Sequence, residues 1–125
     1  MRSLAIIAAL AGLMGAAGVA LAARAAHGGS DPNLMLAAMF LVIHAAALPG
    51  LAAFGRSCGR PHGFALAGAM LALGASLFSG DLAMRGLAGS KLFDFAAPIG
   101  GSLLILGWLA LMVAGLMAAF QARQG

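Results

Sequence analysis

His44 is the one ionisable side chain at the centre of a long apolar run, the stretch from Leu34 to Phe54. An imidazole in hydrocarbon is costly, so a residue of this kind is a functional candidate by default. Three chemistries fit it: a neutral ring that hydrogen-bonds a neighbouring helix and fixes packing, a proton- or solute-handling group, or a cofactor ligand. Packing is the favoured reading. Pro49 has no amide hydrogen and frees the Ala45 carbonyl, which calls for polar repair nearby. Haem ligation would need a second axial ligand, and His27 and His62 fall at opposite ends of the apolar runs. No cofactor is therefore expected.

A second set of polar residues gathers where apolar runs end. Arg24 and His27 close the first run, Asp81 and Arg85 close the third, and Lys91 and Asp94 precede the fourth. Asp81 and Arg85 have the i,i+4 spacing that pairs charges on one helix face. Asp94 is expected at the start of the last helix, where a carboxylate suits the exposed amides and the positive dipole end. The group His27, Asp81, Arg85 and Asp94 is expected to seal one end of a helix bundle. It contains no nucleophile–base set and no carboxylates paired at matched depth, so no enzymatic activity is expected. Cys58 stands alone and forms no disulfide within the chain. The eight Met residues have no accompanying Cys or His cluster, so they read as core fillers and no metal site is expected.

The elements that must position these residues follow from composition. Of 125 residues 63% are hydrophobic and only 8% charged, with a mean hydropathy of +1.05. A soluble domain of this size is about a quarter charged. The chain is an integral membrane protein, and a soluble enzyme or a disordered segment is excluded. Its net charge of +4 is spread over single basic residues, never a run, which argues against nucleic acid as a partner. A bilayer core of about 30 Å takes roughly 20 apolar residues per helix. Four stretches qualify, at about residues 3–24, 34–54, 63–84 and 94–120, with Gly-, Pro- and charge-rich connectors between them. Period-2 alternation is missing, which argues against a barrel. The fold expected is all-α, a single transmembrane domain of four helices joined by short loops. The first stretch also has the outline of a signal peptide, but its apolar run fills a bilayer, whereas a signal h-region spans about 7–15 residues.

Four spans put both termini and the Arg56–Arg60 connector on one face, with Arg2, Arg56, Arg60 and Arg123. The opposite face carries Arg24, Arg85 and Lys91 together with all three acids, Asp31, Asp81 and Asp94. The positive-inside rule then predicts cytoplasmic termini. Helices in lipid associate through close packing and interhelical polar contacts. In the first helix Ala8, Gly12, Ala16 and Ala20 form a small-residue stripe, expected to pack inside the bundle rather than on a second copy. Gly68 with Ala72, and Gly115 with Ala119, repeat the spacing. Pro98 is expected in the first turn of the last helix. Gly100 and Gly101 should then let the Ser79–Gly80 end of the third helix approach, so that Leu77–Asp81 packs on Ala97–Gly101.

The run Gly15–Ala22 leading into Ala26-His27-Gly28 resembles the first-helix ending of a small membrane-protein family. Leu77-Phe78-Ser79-Gly80 resembles its third-helix signature, and Ala97-Pro98-Ile99-Gly100-Gly101, followed by Gly107-Trp108-Leu109, its last-helix signature. The family is the domain-of-unknown-function family four-two-three of bacterial inner-membrane proteins, similar to a small mitochondrial transmembrane protein. The resemblance implies a four-helix inner-membrane protein and matches His44 to the family's second-helix histidine. Met39–Ile43 stands where the family's stretch is polar and tyrosine-containing, which speaks against a polar path along the second helix. Two functions are left: an accessory or scaffold subunit packed against a larger membrane complex or self-associated within the bilayer, or a small oligomeric transporter or channel for a proton or small solute using His44 and the Asp81 region. The almost wholly apolar middle of every span favours the first.

Overall fold

The computed structural model describes residues 2–123. Its elements are α1 (Arg2–His27), α2 (Pro32–Ser57), α3 (Pro61–Ala88) and α4 (Ala96–Ala122), with no strand among the described residues. All four are long and apolar enough to cross a membrane, and the protein is a multi-pass membrane protein. Helices of 26 to 28 residues are about 40 Å long at 1.5 Å per residue. They overrun a hydrocarbon core of about 30 Å, which leaves their charged ends in the interfacial layers.

The helix starts differ in how they are made. Asp31 caps α2: one carboxylate oxygen accepts the amides of Asn33 at 2.8 Å and Leu34 at 3.1 Å, with Pro32 in the first turn. Helix α3 opens on Pro61 with no side-chain cap, and the turn before it is made by Gly59 at φ +71°. At its far end Gly89, at φ +68°, stops α3 in the left-handed conformation that glycine adopts without strain. Helix α4 starts after Phe95. Pro98 therefore lies in its first turn, where a missing amide costs nothing. Pro49 lies inside α2, which continues through it.

Packing runs in chain order: α1 on α2, α2 on α3 and α3 on α4. No interface of similar extent joins α1 to α4 among the described residues, so the bundle is open. Its core draws on every helix, through Ala11 and Met14, Leu41, Ala45 and Leu48, Leu71 and Ala75, and Leu104. The closest approach is between α3 and α4. A Cβ placed on Gly100 would lie 2.5 Å from the Phe78 amide nitrogen and 2.9 Å from the Gly74 carbonyl. One placed on Gly74 would meet Leu104, and one on Gly107 would lie 2.9 Å from Leu71. Only small residues let two backbones come this near.

The α1 face differs from the sequence expectation. Ala8, Gly12, Ala16 and Ala20 are exposed, and no atom of a neighbouring element lies within 4 Å of a Cβ placed on Gly12. The buried face lies one residue further round, at Ala11, Met14, Gly18 and Ala25. That face offers α2 both a knob and a hole: Met14 enters the core, and Gly18 admits Leu41 and Val42. A smooth stripe of alanines offers neither. The Gly115 pair is likewise open, and Gly68 and Ala72 border a crevice.

Candidate functional site

The third helix carries Asp81 to the end of the bundle opposite the termini, where its side chain is fully buried. One carboxylate oxygen accepts the Leu92 amide at 2.8 Å and the other accepts the Arg85 Nε–H at 2.7 Å. Arg85 comes from one turn along the same helix and is partly exposed. The carboxylate therefore ties the α3–α4 connector back along α3. A buried charge that is both paired and hydrogen-bonded at each oxygen is a structural anchor.

Of the four residues expected to seal this end, the structure joins Asp81 and Arg85. His27 is exposed, and its Nδ1–H donates to the Ala23 carbonyl of its own helix at 2.8 Å. Asp94 precedes α4 instead of capping it: it is exposed and lies 3.6 Å from Lys91 in a surface pair. The cap position belongs to Phe95, which makes no side-chain cap bond. Asp31 stands at this end too, beside Gly86, where a Cβ would meet its carboxylate and Leu34. Sequence reasoning passed over Asp31 as a site residue, although Asp-Pro-Asn before an apolar run is a helix-start signal.

His44 lies at mid-span, 4% exposed. Its Nδ1–H donates to the Phe40 carbonyl at 2.7 Å, one turn back on α2, which assigns the tautomer. The expected bond to a neighbouring helix is absent among the described residues, and the ring does not reach the Ala45 carbonyl that Pro49 leaves free. Nε2 is buried without a hydrogen-bond partner, as is Ser79 Oγ on α3. Aromatic rings surround the imidazole instead, with Phe40 stacked at 5.8 Å and Trp108 of α4 tilted at 5.8 Å. Phe40 in turn meets Phe78 of α3 at 4.7 Å. The cluster is a junction between helices, and Trp108 closes its outer side with 44% of its surface exposed. No group of three or more His, Cys, Asp and Glu side chains converges among the described residues.

Gly100, on the face of α4 that α3 covers, completes the close approach of the last two helices. Its partners are Gly74 and Phe78, while a Cβ placed on Gly80 would lie 3.7 Å from Leu92 and one on Gly101 3.9 Å from the Phe78 ring, both ordinary contact distances. Residues 14–101 match the family described as Protein of unknown function (DUF423). The chain belongs to that family. The DUF423 match runs from the middle of α1 into the second turn of α4, so it takes in His27, His44, the Asp81–Arg85 pair and the Gly74–Gly100 approach. Gly12 and the Gly107-Trp108-Leu109 segment fall outside it. No solved structure matches the chain.

Proposed function

We propose that this DUF423 protein is a non-enzymatic accessory or scaffold subunit of the inner membrane, with both termini cytoplasmic. It packs against a larger membrane protein through the outer face of α1. The observation that carries this reading is the exposed stripe Ala8, Gly12, Ala16 and Ala20, a smooth small-residue surface that its own bundle leaves uncovered. Such surfaces let a second helix approach closely in lipid, where dispersion and polar contacts replace the hydrophobic drive. The candidate polar groups support the same reading. Asp81 is committed to Leu92 and Arg85, and His44 is enclosed by rings rather than by a chain of polar residues.

Purification from native membranes in mild detergent tests the proposal. A membrane protein should co-elute with the wild type and be lost with Gly12→Leu or Ala16→Leu, while the bundle stays folded. Unchanged co-elution by both variants would remove α1 as the docking face. The buried, unpartnered Nε2 of His44 and Oγ of Ser79 favour a second reading, a small oligomeric transporter or channel for a proton or small solute that uses His44 and the Asp81 region. Proton or solute uptake in liposomes that disappears with His44→Leu would establish it in place of the first.

A further inference from the structure

On the termini side of the bundle, α1 and α3 diverge across α2 and leave a crevice of about 320 Å³. Its walls are apolar, with Ile7 and Leu10 on one side, Leu48 and Leu51 as the floor, and Gly68 and Ala72 opposite. The space exists because α3 has small residues there. A Cβ on Gly68 would meet only Leu48 Cδ2, at 3.7 Å. Along α1 the crevice runs from Ser3 to Leu10, and along α3 from Pro61 to Ala72. At 1.5 Å per residue that is roughly 10–17 Å, the depth of one leaflet of a 30 Å hydrocarbon core.

The mouth of the crevice is polar and cationic. Arg56 borders it, is exposed, and donates from Nη1 to Ser3 Oγ at 3.3 Å. Arg2 and Arg60 stand at the same end. All three acidic side chains, Asp31, Asp81 and Asp94, belong to the other end, so no acidic side chain stands beside these guanidiniums among the described residues. Pro61 also borders the crevice and opens α3, whose first turn has no side-chain cap. Uncapped first-turn amides favour an anion. An apolar slot one leaflet deep beneath a cationic rim is complementary to an anionic amphiphile. A partner helix would match the slot but not the rim.

We propose that this crevice holds one acyl chain of an anionic phospholipid from the termini-side leaflet, with the lipid phosphate on Arg56. Ser3 holds the guanidinium at the rim, and Gly68 keeps the slot open.

Native mass spectrometry of the full chain, incubated in mixed micelles with phosphatidylglycerol or phosphatidylcholine of identical acyl chains, tests this. The wild type should retain one lipid and prefer phosphatidylglycerol by about fivefold, the effect of one basic residue at a membrane surface. Arg56→Gln should bring that ratio to about one while the lipid is still retained, because only the phosphate contact is lost. Gly68→Leu should abolish retention of both lipids. Ala69→Leu, at an exposed lining position, is the second filling variant should Gly68→Leu fail to fold, as judged by circular dichroism. Equal retention of the two lipids by the wild type, an undiminished preference in Arg56→Gln, or full retention by folded filling variants would each overturn the proposal. Dimers in place of lipid adducts, dissociated by Gly68→Leu, would assign the crevice to a second copy and also overturn it.

Discussion

Adding a single methyl group at residue 100 should destabilise the bundle, although the same change in an exposed helix stabilises it. A Cβ there would be 2.5 Å from the Phe78 nitrogen, against the 3.4 Å at which ordinary Cβ contacts begin, so α3 and α4 must part by about 0.9 Å. A gap of this size forfeits a quarter to a half of each contact, and each atom pair is worth only about 0.1–0.2 kcal/mol. Over a few tens of atom pairs around Gly74, Gly100 and Gly107 the loss comes to about 1–3 kcal/mol, the usual range for overpacking. Replacing a helical glycine by alanine returns about 0.5–1 kcal/mol of backbone entropy. The net destabilisation expected for Gly100→Ala is centred at about 1 kcal/mol, within a range of about 0–2.5 kcal/mol. Gly115→Ala, on the same helix with nothing within 4 Å, should be neutral or more stable than the wild type. Unfolding by SDS in mixed micelles, followed by the fluorescence of Trp108, the single tryptophan of the chain, gives both values. If Gly100→Ala proves as stable as Gly115→Ala, the two backbones do not meet where described.

His44→Leu should leave stability unchanged or raise it, because it removes a buried Nε2 that has no partner and a ring bond internal to α2. A marked loss in the same SDS titration would show that the ring bonds another helix. Asp81→Asn keeps an acceptor for the Leu92 amide, whereas Asp81→Ala removes it. Limited proteolysis of residues 89–95 should therefore be faster in the alanine variant than in the asparagine variant, and slowest in the wild type; equal rates would refute the anchor. Cys58, half-buried in the α2–α3 connector, should resist an impermeant thiol reagent in intact cells and react once the membrane is opened. Ready labelling of intact cells would reverse the proposed orientation.

The four helices were legible because each span is a bilayer's length of apolar residues with Pro, Gly or charge at its borders. Which face of α1 turns inward was not. Small residues occur all round that helix, and the choice depends on Met14 and Gly18 fitting Leu41 and Val42, which only the partner's shape decides. The α3–α4 approach was legible in part: Gly100 meets Phe78, inside the expected Leu77–Asp81 segment, but the contact extends back one turn to Gly74 and not on to Ser79–Gly80. Sequence reasoning placed Gly100 and Gly101 opposite Ser79–Gly80, whereas Gly100 lies against Gly74 and Phe78. The cause is the connector: Asp81 holds Leu92 alongside α3, so α4 begins well back from the Ala88 end. His44 stood out by its polarity at mid-span, yet its hydrogen bond could not be assigned, since a carbonyl four residues back competes with any partner on another helix. The Arg56 crevice left only a faint sequence signal, a basic residue closing one span and a glycine early in the next.

The helix order has a consequence for how the protein is made. Each sizeable interface joins a helix to the one before it in the chain. A nascent chain can therefore assemble in the order of its synthesis, with α2 settling on α1 while α3 is still being elongated. No helix must wait for a distant segment, and no early pairing must be undone to admit a later one. Such local wiring favours fast assembly and limits the time that unpaired surfaces are open to wrong neighbours. The helix finished last, α4, binds only the helix just ahead of it to any large extent. A chain stalled after α3 would already hold α1, α2 and α3 in their final arrangement.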